Sequence, residues 1–542
     1  MVLGSLASLA SVGQPLPVEP DPITLPGVDW WALGPVLILA GGALALMLMA
    51  SFARDRTAVA GYTAVTCAAA LGAIGVAVPL WREVHDAERG PFSTLDGAVG
   101  VDGFSVFLTV VIAASVLLAA LFVHDYLRRE QLEGAQAYVL LLLSASGGVI
   151  MAQANDLIVL FLGLETLSIA AYVLAALHTR RLTSQEAGMK YFVLGAFSSG
   201  FFLYGIAMIY GGTGTTNLVR IVELFSTSAL TQDGLILAGL ALMLVGLGFK
   251  VAAVPFHFWT PDVYQGAPSP LVGWMASGVK VAGFAGLLRV YVVAFGAYSV
   301  DWQPMIYAVA VATLLVGSIL AVVQTDVKRM LAYSSISHAG YVLVGVQAAS
   351  DQGVESALFY LATYAFLVAG SFGVVTLVGR RGDGQHALDD YRGLGRSRPV
   401  LALLLGVFLF AQAGVPLTSG FFAKFYVISA AVDAGSVGLA VVAMLAAVVA
   451  AFLYLRIVAS MYMADGDVAA DGDGGGGGGA NGAVAAGADA AGGADTLAAI
   501  PVPATAGLAL ALCLVVTVGV GVWPGLITEV TRDAVPVFTA LG

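Results

Sequence analysis

Fourteen apolar stretches, each about as long as a bilayer is thick, leave this chain few folds to adopt. They lie near 30–53, 57–80, 102–127, 135–153, 156–178, 187–211, 234–259, 269–296, 303–324, 327–349, 355–379, 399–432, 436–463 and 501–523. A helical membrane span needs roughly 20 predominantly apolar residues. The reading is an all-α polytopic membrane protein with about fourteen transmembrane helices. Of 542 residues, 59% are hydrophobic and only 11% are charged, which excludes an ordinary globular domain. There is no basic patch for nucleic acid. Cys67 and Cys513 sit in apolar runs without CxxC or metal-ligand spacing, so they read as small core residues. The stretch 524–542 is interrupted by proline and charge and is too short for another span.

Loop charge orients the helices, because Lys and Arg concentrate on the cytoplasmic side. Alternate loops carry Arg54, Arg56, Arg128, Arg129, Arg180, Arg181, Lys328, Arg329, Arg380, Arg381, Arg392, Arg396 and Arg398, thirteen in all. The opposite loops hold four: Arg82, Arg89, Arg220 and Arg532. Both termini are therefore expected outside the cytoplasm. Residues 1–29 contain no Lys or Arg and read as a non-cytoplasmic tail rather than a signal peptide. Residues 465–497 are a run of Gly, Ala and Asp that cannot bury enough apolar side chain to offset its ordering entropy. A disordered cytoplasmic loop is expected there, ahead of the last helix and C-terminal tail at 498–542.

Six basic residues remain, all inside apolar stretches: Lys190, Lys250, Lys280, Arg289, Lys424 and Arg456. A charge at mid-bilayer costs roughly 2.5–3.5 kcal/mol on insertion scales, so each must face protein or water. Lysine lowers its pKa on burial more readily than arginine and suits a group that gains and loses protons. Lys280 lies roughly 14 Å into its helix at 1.5 Å per residue. Lys250 precedes Pro255 by five residues, which predicts a kink or break in helix 7. Lys424 follows Gly414, Pro416 and Gly420, a second interruption in helix 12. Interrupted helices at matching places in two halves mark inverted repeats and a midplane path. Helices 4–8 and 9–13, residues 135–300 and 301–464, fit two inverted five-helix repeats behind three N-terminal helices at 30–134.

Glu165 is the one acid deep in an apolar stretch, and Lys250 is its natural ionic partner. His257 follows Lys250 by two turns on about the same helical face. His338, roughly 17 Å into helix 10, sits beside Ser334, Ser335 and Ser337; a proton relay and a packing histidine both fit. Lys190 is one turn inside helix 6, where snorkelling to the surface competes with a place on the path. Arg289 and Arg456 are near helix ends, where snorkelling is expected, and Asp262 reads as a brace for its loop.

Three motifs occur in order: KVAAVPFHFWTPDVYQGAPSP beginning at Lys250, QTDVKRMLAYSSISHAGY at 324–341, and GVPLTSGFFAKF at 414–425. Together they closely resemble the antiporter-like membrane subunits of respiratory complex I, over roughly residues 100–463. The resemblance implies a proton-translocating subunit of NADH:quinone oxidoreductase that performs no redox chemistry itself. It further implies that NADH, flavin, iron–sulfur clusters and quinone belong to partner subunits, that neighbouring antiporter-like subunits are partners, and that the bilayer is bacterial. Carried over by the motifs, Glu165 and Lys250 form a pair between helices 5 and 7, Lys280 is a relay, and Lys424 serves the outward half-channel. His257, His338 and Lys190 match polar positions of the axis. The Gly-rich insert departs from the family pattern. Multisubunit cation/proton antiporters share these motifs, and a subunit of such an antiporter is the alternative reading. A scaffold with vestigial charges is weaker, since four buried lysines are costly to keep without use.

Overall fold

The computed structural model describes residues 27–52, 59–132, 134–227, 233–379, 381–463 and 502–536. The insert at 465–497 and nearly all of the N-terminal tail lie outside the described residues. The helices run α1 Gly34–Phe52, α2 Val59–Val84, α3 Gly103–Glu130, α4 Ala135–Gln153, α5 Leu157–Ala175, α6 Leu182–Thr213 and α7 Leu218–Thr227. They continue as α8 Asp233–Val251, α9 Trp259–Gly266, α10 Ser269–Trp274, α11 Lys280–Leu287, α12 Ser299–Val322, α13 Val327–Gln347 and α14 Asp351–Val378. The last are α15 Leu394–Ser397, α16 Pro399–Ala413, α17 Ser419–Asp433, α18 Val437–Tyr462, α19 Ala504–Val522 and α20 Gly525–Asp533. Twelve helical elements among the described residues are long and apolar enough to cross a membrane. α13 has the length but carries Lys328, Arg329, three serines beside His338, and Gln347, so it depends on protein neighbours on every side.

α3, α14 and the continuous element Ser269–Ala294 form the centre, and the last of these is buried along its whole apolar window. Hydroxyls in this centre are satisfied locally. Thr109 donates to Ser105 O at 2.7 Å, Ser371 to Leu367 O at 2.9 Å and Thr376 to Phe372 O at 2.7 Å. Such back-bonding removes the cost of a hydroxyl in an apolar core. Around the centre stand helices with outward apolar faces, such as Phe192, Phe197 and Tyr204 on α6 and Met444, Val448 and Phe452 on α18.

The two interrupted helices are real breaks. α8 stops at Val251, and the chain passes through a non-helical 252–258 segment before α9. The Val254–Pro255 bond is cis, and Ala252 takes φ 63°. α16 stops at Ala413 and α17 begins at Ser419, with Gly414 at φ 92° and Leu417 at φ 68° between them. A Cβ on Gly420 would fall on Ala411 O, so only glycine lets the two half-helices approach this closely. The break corrects one expectation: the helix does not continue past Val251, so His257 shares no helical face with Lys250. His257 is instead a buried residue of the break itself, its ring 4.7 Å from Phe258.

Several features carried no sequence signal. Met275–Val279 and Leu288–Ala294 are π-helical, one on each side of α11. A short antiparallel hairpin, β1 Phe92–Thr94 with β2 Val99–Val101, packs against α3 and α4 and bridges through Val99 to Ala154 in the link before α5. Asn155 and Asn217 both donate to Gly97 O, at 2.9 and 3.0 Å, and so pin its turn. Two basic residues are also placed differently from expectation. Arg289 does not snorkel: it is buried, bonded to Asp102 at 2.8 Å and to Ala152 O at 2.9 Å. Its partner Asp102 caps α3, so the carboxylate serves two helices at once. Lys328, counted among loop charges, is fully buried because Asp383 and Ala267 O receive it.

Candidate functional site

Each break delivers a lysine into the interior. Lys250 is the penultimate residue of α8, and its Nζ donates to Ser168 Oγ at 2.9 Å and Tyr191 Oη at 3.4 Å. The ammonium also faces the rings of Tyr172 and Tyr191, at 5.7 and 5.4 Å. Tyr191 in turn stacks on Trp259 of α9 at 4.3 Å, so the aromatic box spans the break. Glu165 is not in direct contact with Lys250; among the described residues that lysine has no carboxylate within 4.0 Å. The expected pair is thus not a direct contact. Glu165 lies one turn before Ser168 on α5 and accepts a hydrogen bond from Ser199 of α6. Side chains three apart share a helix face, so Ser168 stands between acid and lysine.

Lys280 opens α11 where the first π segment ends. Its Nζ donates to Ser335 O at 2.5 Å and Ser335 Oγ at 2.6 Å on α13. Three residues further along α13, His338 has both ring nitrogens engaged: Nδ1 lies 2.6 Å from Tyr360 Oη and Nε2 3.1 Å from Tyr454 Oη. Tyr454 Oη is also 2.6 Å from Ser334 Oγ, which donates to Gln412 Oε1 at 3.2 Å. Gln412 is the residue before Ala413, whose carbonyl accepts from Lys424 Nζ at 2.9 Å. Lys424 sits 4.9 Å over the ring of Tyr341.

Lys250, Lys280, His338 and Lys424 are thus all buried among polar groups at or between the two breaks, whereas Glu165 is half-buried and the Nδ1 of His257 is buried without a hydrogen-bond partner. Lys190 stands apart. Its side chain is 42% exposed and pairs with Glu186 and Asp262, both at 2.7 Å. Asp262 also receives Arg329 at 2.6 Å. Lys190, Glu186 and Asp262 line a cavity of about 280 Å³ with Arg181, Asp383 and His386. The tyrosines at 191, 341, 360 and 454, and Gln412, were missed because they read as ordinary constituents of apolar helices. The serines around His338 were the only signal of that network.

Chemically, the arrangement offers protonatable groups without committed counter-charges. Hydroxyls and π faces stabilise an ammonium, yet they let it lose its proton without stranding a carboxylate.

A family model described as NADH:quinone oxidoreductase/Mrp antiporter, TM, matches residues 154–451, a span that contains all seven expected site residues. The chain is 42% identical over 438 residues to NADH-quinone oxidoreductase subunit N of Trichlorobacter lovleyi, covering 81% of this chain and 88% of the relative. It is 44% identical over 453 residues to NADH-quinone oxidoreductase subunit N 2 of Roseiflexus castenholzii, covering 82% and 89%. A chain of respiratory complex I from Thermus thermophilus with bound aureothin superposes with TM-score 0.70 at 30% identity, covering 91% of this chain and 98% of that one.

Proposed function

This chain belongs to the NADH:quinone oxidoreductase/Mrp antiporter family of membrane proteins, and from that premise we propose that it is subunit N of a bacterial proton-pumping NADH:quinone oxidoreductase. It sits in the plasma membrane among the other membrane subunits, including neighbouring antiporter-like ones. Electron transfer from NADH to quinone takes place in partner subunits, which hold the flavin and iron–sulfur clusters. The chain moves protons, and Glu165, Lys250, Lys280, His338 and Lys424 carry them. Helices 4–8 and 9–13 act as inverted repeats, each with its own break, and both termini lie outside the cytoplasm.

One observation supports this reading above the others: three lysines, Lys250, Lys280 and Lys424, are buried with only neutral groups as hydrogen-bond partners and no carboxylate in direct contact. A purely structural ammonium in an apolar interior would be expected to have an anion beside it. His257, at the first break, and Lys190, at a polar cavity facing the expected cytoplasm, are assigned secondary places.

The test uses the whole complex in native membrane vesicles at matched content. Co-purification with flavin and iron–sulfur subunits is expected; their absence would favour an antiporter. Lys250→Met removes the titrating group while keeping much of the length, and Lys250→Arg keeps a charge that holds its proton at any accessible pH. Both should abolish most proton uptake while the complex still assembles. If Lys250→Arg pumps normally, Lys250 is a structural cation and the path through the first break is wrong.

A further inference from the structure

A cavity of about 530 Å³ opens on the flank of α18, and nothing above uses it. Phe452, Leu455, Arg456 and Met463 of α18 form one wall, and Asp389 and Arg392 of the 388–392 segment form the other. Ser460 Oγ donates to Leu388 O at 3.0 Å and ties the two walls together. The α18 residues recur at helical spacing and so share one face. That face continues through the exposed Met444, Leu445 and Val448 toward the middle of the helix. Arg456 stands near the other end: α18 closes at Tyr462, roughly 9 Å further on at 1.5 Å per residue.

The Arg456 guanidinium is fixed but only partly used. Its Nη1 donates to Val322 O at 2.7 Å and Gln324 O at 2.9 Å, at and just past the C-terminal end of α12, where helix carbonyls lack partners. Its Nε and Nη2 have no protein partner among the described residues, and neither is sealed from the surface. Across the cavity, Arg392 Nε pairs with Asp389 at 3.0 Å, but that aspartate is 79% exposed, so water screens the pair and holds Arg392 weakly. A guanidinium with spare donors near the end of a membrane helix calls for an anion. The wall beside it is apolar and runs on into exposed apolar helix, so the anion should carry a long hydrocarbon chain. The loop on this face holds Arg392, Arg396 and Arg398, a density of positive charge that gathers anionic lipid.

We propose that this cavity seats the headgroup phosphate of an anionic phospholipid from the leaflet on the arginine-bearing face. Arg456 offers Nε–H and Nη2–H to two phosphate oxygens, the fork in which a guanidinium matches that group. Arg392 turns from Asp389 to add a second charge, and an acyl chain lies along Phe452 and Leu455. A zwitterionic lipid brings its own ammonium beside the two arginines and is held less well. The site is separate from Lys250, Lys280 and Lys424, so it stands whether or not those lysines carry protons.

The experiment uses the assembled complex, depleted of native lipid and reconstituted into phosphatidylcholine vesicles. A minor share of the lipid carries a photoactivatable acyl chain, on either phosphatidylglycerol or phosphatidylcholine, and labelled peptides are mapped by mass spectrometry. Phosphatidylglycerol should label the 452–463 stretch about fivefold or more above phosphatidylcholine, and Arg456→Gln should remove that excess. Arg392→Gln, on an exposed segment where assembly does not depend on it, should lower the excess several-fold. Labelling of the exposed face of α1 around Leu44 and Leu48 is the reference and should change in neither variant. An excess of inorganic phosphate should not compete; if it abolishes the preference, the seat is one for a free anion and the proposal fails. Equal labelling by the two lipids would show a groove that takes any chain. Labelling by neither would show that a partner subunit covers this face. A preference that survives both substitutions would put the headgroup elsewhere. Each of these three outcomes overturns the proposal.

Discussion

Lys328 is the control that nature supplies for the other buried lysines. It is as deeply enclosed as Lys250, Lys280 and Lys424, but it alone has a carboxylate, Asp383, at 3.5 Å. Asp383 also binds Ser269 Oγ at 2.7 Å, His386 Nε2 at 2.8 Å and Arg181 at 3.3 Å, joining α10, α13, the loop before α6 and its own loop. Burial alone pushes the Asp383 carboxyl up, but Lys328, His386 and Ser269 outweigh it and hold it well below the usual carboxylate range. A buried charge with fixed partners is a clamp; a buried charge with hydroxyls and rings is free to change state. Asp383→Asn leaves Lys328 buried without its anion, a loss of roughly 3–5 kcal/mol. A lower unfolding temperature of the detergent-solubilised protein is expected. The sign with pH follows from the depressed carboxyl: its stabilisation is present above the unfolded-state value and is lost as pH falls below about 4. The gap between the parent and Asp383→Asn should therefore close only in that acid range. A gap already closed at neutral pH would show that Asp383 is not the clamp.

The two breaks solve one problem with different residues. In each, the first half-helix ends beside a lysine, and the freed carbonyls find donors inside the protein. Phe249 O accepts from Trp259 Nε1 at 3.0 Å, and Ala413 O accepts from Lys424. The first break turns on Ala252 at φ 63°, the second on Gly414 at φ 92°. A Cβ on Gly414 would stand 3.1 Å from Lys424 Cδ, in a conformation that L side chains rarely adopt. Gly414→Ala should therefore store about 1–3 kcal/mol of strain and displace Lys424 from its carbonyl. The expected outcome is an assembled complex with reduced pumping; parental pumping would show that the turn tolerates the change. Both breaks were legible, because Pro255 and the Gly414–Pro416–Gly420 run interrupt otherwise helical sequence. So were the apolar spans and the burial of Lys250, Lys280 and Lys424. The π segments beside Lys280 were not, since MASGV and LRVYVVA carry no local signal that distinguishes π from α. The direct contacts of Lys250 were illegible for a related reason. The sequence could not show that α6 offers Ser199 to Glu165. Arg289 looked terminal in the sequence, yet the cap of α3 draws it inward.

At the scale of the molecule, the remaining question is which face meets the cytoplasm. The helix ends around the undescribed insert can be placed by their contacts. Near the end of α18, Ser460 Oγ donates to Leu388 O at 3.0 Å, and at the start of α19, Thr505 Oγ1 donates to Asp125 Oδ2 at 2.5 Å. The Leu388 loop carries Arg392, Arg396 and Arg398, and Asp125 lies one turn before Arg128 and Arg129. Arg129 reaches Thr376 O at the end of α14, and Arg381 reaches Gln131 Oε1 at 3.4 Å. The described helix ends that flank 465–497 therefore lie on the face that gathers the arginine-bearing loops. That face should be cytoplasmic, because basic loops resist translocation across the membrane. The insert has no Lys or Arg but is dense in Ala and Gly, so trypsin is the wrong probe and an elastase-type protease, which cuts after small residues, is the right one. Added to inverted vesicles, it should split the chain into one large N-terminal fragment and a short one containing α19 and α20. Added to intact spheroplasts, it should leave the chain whole. Cleavage in spheroplasts and protection in inverted vesicles would reverse the orientation of every helix.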